Sequence, residues 1–201
     1  MSVEGDLRFL SHHDMMRAVE RTAGRAKLPL RMSQGFNPRP AMSLACPRPV
    51  GVATRDDLLV ITLAVPMAAQ EVLDSLNASA PLGLRFVRAE VLAGRRSLHP
   101  REISYELALD ESQRPAVELR LGELASQEQW IVQRRRKEEG LPQDLDIRPL
   151  VASASVSDGT LRWTLMPLDQ TWARPSEVLA LLGLDAQVDL ARTVRTAVKY
   201  G

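Results

Sequence analysis

The spacing of apolar positions predicts alternating strands and helices in the first half of the chain. Residues 11–27 and 68–80 repeat apolar side chains at helical spacing. The segment 58–65 is continuously apolar and rich in β-branched residues, which predicts a central, covered strand. Further extended segments complete the order β-α-β-β-α-β, and they are predicted at 7–11, 31–45 and 84–92.

The second half repeats this pattern with less contrast. Its predicted elements are strands at 103–109 and 130–136, helices at 115–128 and 176–182, a hairpin of 147–156 with 161–168, and a last strand at 190–198. The hexamers EVLDSL (71–76) and EVLALL (177–182) indicate an internal duplication. The expected fold is α+β, with two tandem ferredoxin-like (βαββαβ) domains, each an antiparallel sheet with helices on one face. We place the domains at 1–97 and 98–201, joined by a polar linker at 94–101.

Composition limits the class of protein. At 201 residues, 45% of them hydrophobic, the chain suits one large domain or two small ones. It contains no run of about 18 apolar residues, and its first ten residues lack an apolar signal core, so we expect neither membrane contact nor export. The single cysteine, Cys46, cannot form an intramolecular disulfide or hold a metal cluster alone. We therefore expect a cytoplasmic protein without a metal or cofactor.

Charge is unevenly distributed, although the formal net charge is only +1. Residues 1–100 hold 13 basic and 9 acidic residues, whereas residues 101–201 hold 13 basic and 16 acidic residues. Between residues 15 and 55, eight Lys/Arg accompany a single acid, Glu20, which gives a local charge of +7. This asymmetry indicates an anionic partner for the first half, and a solvated basic face is the alternative.

Helical phasing divides the first predicted helix into an apolar face and a basic face. Ser11 is the expected N-cap, and Asp14, three positions later, completes a capping box. At 100° per residue the apolar face includes Met15, with His12 at its edge. The opposite face is mostly basic and carries His13, Arg17, Arg21 and Arg25.

Two interpretations of His12 remain open at this stage. It either packs as an imidazole hydrogen-bonded to a backbone carbonyl, or lies at the helix mouth as a catalytic base acting on an RNA 2′-hydroxyl. His13 is expected to be more exposed, which makes it a candidate RNA contact. No third histidine or carboxylate stands at metal-ligand spacing beside the pair, which excludes a metal site there.

A proline-rich loop, SQGFNPRP, follows at residues 33–40. Gly35 permits a positive φ, and Pro38 and Pro40 restrict the backbone on either side of Arg39. Phe36 is suited to stack on a base and Arg39 to contact a phosphate; the alternative is a rigid turn with Phe36 in the core. The full set of candidate RNA-binding residues is His13, Arg17, Arg21, Arg25, Arg31, Ser33, Gly35, Phe36, Asn37 and Arg39.

The segment LRFLSHHDMMRAVERTAGRAKLPLRMSQGFNPRP (7–40) resembles an uncharacterised bacterial domain family encoded beside, or fused to, radical SAM proteins. That family shows RFLSH-x-D, a basic helix and LP-x-x-x-S-x-GFNP-x-P, and RPSEVLALLGL near the end fits as well. The resemblance implies shared roles for Ser11, His12, Asp14, Arg17, Ser33, Gly35, Phe36, Asn37, Pro38 and Pro40. His13 replaces the family's usual leucine, which favours His12 for a shared role, and family members usually carry more strand before the Gly5 equivalent.

The tandem layout is also similar to that of the CRISPR repeat-cleaving endoribonucleases, many of which use a histidine near the first helix. Three functions are consistent with the sequence. The first is an RNA-binding accessory protein that holds structured RNA, tRNA or rRNA, for a radical SAM partner. The second is a metal-independent endoribonuclease with His12 as base, and the third is a protein-only adaptor of a radical SAM enzyme. The chain lacks a complete catalytic motif, so the expectation leans away from an enzyme.

Overall fold

The computed structural model describes residues 1–92, 98–135 and 141–201. It divides into two compact units, one of Met1–Pro100 with Tyr200–Gly201 and one of Arg101–Lys199. The structure is α+β, as the sequence predicts, with four α-helices among the described residues. Residues 94–97, half of the predicted linker at 94–101, lie outside the described residues, so the boundary between the two predicted domains stays a prediction.

The first unit contains two α-helices and five short strands in its described part. They are β1 (Ser2–Val3), α1 (His12–Arg25), β2 (Met42–Leu44), β3 (Ala53–Thr54), β4 (Leu59–Ile61), α2 (Ala69–Ser79) and β5 (Leu84–Arg85). β1 lies between β3 and β5 and is antiparallel to both. β2 and β4 form a separate antiparallel pair. Both predicted helices of this half are thereby confirmed.

The core of the first unit forms around α1. Met15, Val19 and Ala23 are buried on one face of α1, together with Val3 of β1 and Leu76 of α2. These positions recur every three or four residues, so a single stripe of the helix is removed from water. The predicted apolar face is confirmed. Because this face packs in the core, the opposite face of α1 is exposed to solvent.

One predicted strand of this half was wrong, and two others are shorter than predicted. The segment 7–11 is instead a 3-10 helix at Gly5–Phe9. The segment 58–65 keeps only the half-buried strand β4, which pairs on one side with β2 and is not central. After β5, the backbone of Phe86 bonds to the Asn77 side chain rather than to a strand, at 2.9 Å in each direction. The strand pairing ends here, because the Asn77 side chain forms hydrogen bonds with both the N–H and the C=O of Phe86.

The second unit follows its predicted elements more closely. It contains β6 (Pro100–Ala108), α3 (Arg114–Ala125), β7 (Ile131–Arg134), β8 (Gln143–Asp146), β9 (Val151–Ser157), β10 (Thr160–Leu165), α4 (Pro175–Leu181) and β11 (Val194–Tyr200). The strand order is β11-β6-β10-β9, and β7 pairs separately with β8. The predicted hairpin is confirmed, because Asp158 and Gly159 both have positive φ, at 51° and 68°, between β9 and β10. Strand β8 was not predicted, and the last strand begins four residues later than predicted, at Val194.

The core of the second unit lies on one face of β6 and β10. Tyr105 and Trp163 are opposite each other in the ladder, and their rings stack with centroids 5.4 Å apart. The buried residues on these strands alternate, as expected when one face of a sheet is covered. The assignment of both units to tandem ferredoxin-like domains is finer than α+β and stays a prediction.

Candidate nucleic-acid interface

The amino end of α1 is fixed by its own side chains. The Ser11 hydroxyl accepts a hydrogen bond from the backbone N–H of Asp14 at 3.1 Å and donates to the Asp14 carboxylate at 2.7 Å. This N-cap satisfies a donor that the helix cannot satisfy internally. The predicted N-cap is confirmed, whereas the reciprocal bond of the predicted capping box does not form, because the Asp14 carboxylate accepts from the Ser11 hydroxyl rather than from the Ser11 backbone N–H.

Both histidines at the start of α1 are exposed. The placement of His12 on the packed side was wrong, because the first residue of a helix has no preceding turn to cover it. Among the described residues, neither the imidazole of His12 nor that of His13 takes part in a hydrogen bond or ion pair. The packed, carbonyl-bonded interpretation of His12 therefore fails, whereas its catalytic role stays a prediction.

The arginines along α1 differ in what they contact. Arg17 and Arg21 are exposed, and Arg17 lies 3.7 Å from the Asp14 carboxylate in a weak surface pair. Arg25 is held differently, because its guanidinium donates to the Ser79 carbonyl at 2.8 and 3.2 Å. That carbonyl belongs to the last residue of α2, so Arg25 joins the carboxyl ends of α1 and α2.

The other basic residues of the segment 15–55 also divide into two groups. Arg48 is almost fully buried, with Nε 3.7 Å from the Asp57 carboxylate and Nη1 donating to the Arg8 and Val52 carbonyls. Arg48 is thus part of the interior and does not contribute to a basic surface. The exposed members are Arg17, Arg21, Arg25, Lys27, Arg31, Arg39 and Arg55.

The loop of residues 33–39 is closed at its neck by hydrogen bonds. The Ser33 N–H donates to the Arg39 carbonyl at 2.7 Å, and the Arg39 N–H donates to the Ser33 hydroxyl at 2.9 Å. Outside this pair, the Ala41 N–H donates to the Arg31 carbonyl at 2.8 Å. The loop therefore projects from two chain segments that are tied together, with both of its terminal residues fixed.

The tip of this loop carries the most exposed aromatic ring among the described residues. Phe36 has a relative solvent-accessible surface of 106%, so the alternative in which it packs in the core fails. Gly35 beside it has φ +147°, a conformation that favours glycine, and a Cβ there would meet no atom within 4 Å. Asn37 is exposed on the other side of Phe36. A neutral, fully solvated ring in a loop that also carries the exposed Arg39 is suited to base stacking.

An aromatic–cation pair that sequence reasoning missed lies just before α1. Phe9 is 49% exposed, and the Arg8 guanidinium carbon lies 5.0 Å from its ring centroid. The apparent strand pattern of LRFLS concealed this pair, since the segment forms a 3-10 helix instead. In the sequence, the pair is indicated only by the adjacency of Arg8 and Phe9.

The structure does not bring all the predicted site residues into contact. Among the described residues, no hydrogen bond, ion pair or ring contact joins His12 to the loop 33–39. The elements that carry them do share a core, because Met42 and Leu59 of β2 and β4 pack against the cluster that contains Met15. A single pocket formed by the helix mouth, His12 and the loop stays a prediction.

The second unit contains a cleft of about 530 Å³ lined by residues of α3 and of the segment after α4. Arg192 donates to Asp110 at 2.8 Å and to Asp189 at 3.1 Å, and Asp189 also accepts from the Gln113 side chain at 3.2 Å. The hydrogen bond with Asp110 raises the pKa of the Arg192 guanidinium. These polar groups satisfy one another, and the cleft contains none of the predicted site residues.

Metal binding and membrane insertion both bear on the class of site. Within residues 1–92, 98–135 and 141–201, no three His, Cys, Asp or Glu side chains are grouped so that they could hold a metal ion. None of the helices in this part of the chain is both long and apolar enough to cross a membrane.

Comparison with known proteins identifies a family. Residues 1–179 match the family described as "uncharacterized protein conserved in bacteria (DUF2344)". No curated protein matches the chain. Since the match covers most of the 201 residues, the chain belongs to this bacterial family.

Proposed function

We propose that this member of the DUF2344 family binds structured RNA through its first unit and presents it to a radical SAM partner that modifies tRNA or rRNA. The observation that carries the proposal is the pairing of an exposed basic face on α1 with a closed loop that projects a fully solvated Phe36. The proposal places the protein in the cytoplasm, where such RNA is found.

Electrostatics supports a polyanionic partner. After Arg48 is assigned to the interior, seven basic side chains of the segment 15–55 remain exposed, and the segment contains one acid, Glu20. Each guanidinium that neutralises a phosphate releases condensed counterions, which is the main source of sequence-independent affinity for nucleic acid.

A separate radical SAM partner is supported by the family resemblance and by the cysteine count. The Leu7–Pro40 motif resembles a family encoded beside or fused to radical SAM proteins. An iron–sulfur cluster is held by several cysteine thiolates, and this chain contains one cysteine, Cys46. The chain is therefore assigned recognition of the substrate, and the radical chemistry is assigned to the partner.

Strand order supports the ferredoxin-like part of the proposal. In the second unit, β6-α3-β9-β10-α4-β11 follows the βαββαβ order, and the sheet order is β11-β6-β10-β9 with β7 and β8 as an inserted hairpin. In the first unit, β5-β1-β3 reproduces three positions of the same order. This architecture recurs in many functions, so it adds little to the choice of ligand.

The test is binding of total tRNA and of rRNA fragments by gel shift at low salt. The variant Arg21→Gln/Arg31→Gln/Arg39→Gln is expected to lose most of the affinity. The control Arg101→Gln/Arg135→Gln/Arg148→Gln removes the same charge from exposed positions of the second half and is expected to bind like the wild type. Absence of binding by the wild type contradicts the proposal.

The same reactions separate the other two functions. RNA cleavage in EDTA that is abolished by His12→Ala would identify the metal-independent endoribonuclease. Co-purification of a radical SAM protein that resists nuclease and high salt, without RNA binding, would identify the protein-only adaptor. RNA binding without cleavage is the result that the proposal predicts.

A further inference from the structure

We propose that the loop 33–39 recognises one unpaired nucleobase of the RNA, which stacks on Phe36, so that the substrate class is RNA with a bulged or looped nucleotide beside a stem. This inference rests on the proposed RNA-binding function and specifies the ligand of that same surface. It distinguishes two parts of the surface, since the arginines contact any phosphate backbone and the loop selects among RNA structures.

The exposure of Phe36 is the first step of the argument. Phe36 has a relative solvent-accessible surface of 106%, whereas Phe86, in the core of the same unit, is only 6% exposed. A phenyl ring left in water gives up the free energy that burial would release, and it has no polar atom to offset this. Because the loop neck is tied at Ser33 and Arg39, the ring is held away from the core.

Pre-organisation of the loop is the second step. The two hydrogen bonds between Ser33 and Arg39 fix both ends, and Pro38 restricts its own φ and the conformation of Asn37. A ligand that stacks on Phe36 therefore orders few additional backbone torsions, which lowers the entropic cost of binding. Such a loop is suited to select one small planar group.

The identity of that planar group follows from charge and access. Arg31 and Arg39 are exposed at the base of the loop, and they favour a ligand that carries negative charge together with an apolar plane. A nucleotide combines both in one unit. In a continuous duplex both faces of each base are already stacked, and inserting a ring would require unstacking a step. An unpaired base offers a free face without that cost.

Asn37 gives the site a means of reading the base. Its amide is exposed next to Phe36 and, among the described residues, makes no hydrogen bond. A carboxamide has both donor and acceptor atoms, so it can pair with an edge of the stacked base. Stacking then provides affinity and the amide provides a preference among bases.

The test uses two RNA duplexes of the same length, one perfectly paired and one with a single bulged nucleotide, measured by fluorescence anisotropy at one salt concentration. The wild type is expected to bind the bulged RNA about fivefold to 150-fold more tightly, the range of one base–aromatic stacking contact. Phe36→Ala is expected to lose this preference, and Phe36→Trp to retain it. With 2-aminopurine at the bulge, its emission is expected to fall with the wild type and not with Phe36→Ala.

Leu82→Ala is the matched control, because Leu82 is an apolar side chain with 99% relative surface outside the loop. It is expected to keep the preference for the bulged RNA. Equal binding of both RNAs by the wild type, or a preference that survives Phe36→Ala, overturns the inference and leaves the proposed function intact. If neither RNA binds at low salt, both the inference and the proposed function are overturned. If Phe36→Ala leaves the affinity for both RNAs unchanged but abolishes co-purification of a partner protein, the loop docks a protein and the inference is overturned.

Discussion

The Nε atom of Arg48 lies 3.7 Å from a carboxylate oxygen of Asp57, with only 5% and 4% of the two side chains exposed. Asp57 also accepts a hydrogen bond from the Thr54 hydroxyl at 2.6 Å. The pair withdraws one of eight basic residues from the surface that the sequence predicts. Charge counted along a sequence therefore overstates the charge that a ligand can contact.

Removing the Asp57 charge is expected to destabilise the protein strongly. Asp57→Asn removes the carboxylate charge 3.7 Å from the buried Arg48 guanidinium, and breaking a buried ion pair from one side costs about 3–5 kcal/mol. The free energy of unfolding, measured by urea denaturation, checks this. The control Glu90→Gln breaks an ion pair of the same 3.7 Å length between exposed side chains and is expected to change stability by less than about 0.5 kcal/mol. Equal effects of the two substitutions would show that the pair does not stabilise the first unit.

Ser11→Ala is expected to weaken the fold without weakening RNA binding. The substitution removes the N-cap of α1 and should lower the free energy of unfolding by about 0.5–2 kcal/mol. Ser112→Ala, at an exposed serine whose hydroxyl makes no hydrogen bond among the described residues, is the control. A loss of RNA affinity at a temperature where the variant is fully folded would show that Ser11 contacts the ligand instead.

Gly35→Ala is expected to distort the loop that carries Phe36. At φ +147° an alanine is strained even though its Cβ would meet no neighbour, so the effect comes from the backbone alone. We expect the preference for bulged RNA to fall at least several-fold, in the anisotropy assay. Gly24→Ala, in α1 and also without a neighbour within 4 Å, is expected to stabilise the protein by up to about 1 kcal/mol and to keep the preference. If Gly35→Ala binds like the wild type, the loop geometry is not part of the site.

Arg25→Gln is expected to act mainly on stability. The Arg25 guanidinium donates to the Ser79 carbonyl at the end of α2, and loss of this charged hydrogen bond should cost about 1 kcal/mol at an exposed position. Arg21→Gln, four residues earlier on the same face, should change the free energy of unfolding by less than about 0.5 kcal/mol. Urea denaturation measures both free energies of unfolding. Equal stability of the two variants would show that the Arg25 hydrogen bond to Ser79 does not stabilise the protein.

Local patterns were sufficient to predict α1, α2 and the hairpin of β9 with β10. An amphipathic stripe, a serine N-cap and a two-residue turn of Asp158 and Gly159 each act over a few residues. The strands of the first unit could not be predicted in the same way. Each has only two or three residues, and the backbone of Phe86 bonds to the Asn77 side chain, which no periodicity encodes.

The candidate site was predictable in composition and not in geometry. The sequence identified Arg17, Arg21 and Arg39, which are exposed. It misplaced His12 because phasing alone ignores the missing turn before a helix start, and it left Phe36 open between core and solvent. Arg48 is buried beside Asp57, nine residues away, and the two-residue strand β3 between them gives no periodicity that would indicate the contact. These outcomes depend on tertiary packing, which local sequence patterns do not specify.

The most direct measurement of the central claim is the affinity of the full chain for total tRNA across a salt series. Each phosphate contact contributes a slope of about −0.7 to −0.9 in log affinity against log salt, so several exposed arginines predict a slope of about −3 or steeper. Arg21→Gln/Arg31→Gln/Arg39→Gln is expected to flatten the slope, and the control triple variant of the second half to leave it unchanged. A wild-type affinity that is undetectable at low salt, or that does not depend on salt, would contradict the proposal that the basic face of α1 and its neighbouring loop bind RNA.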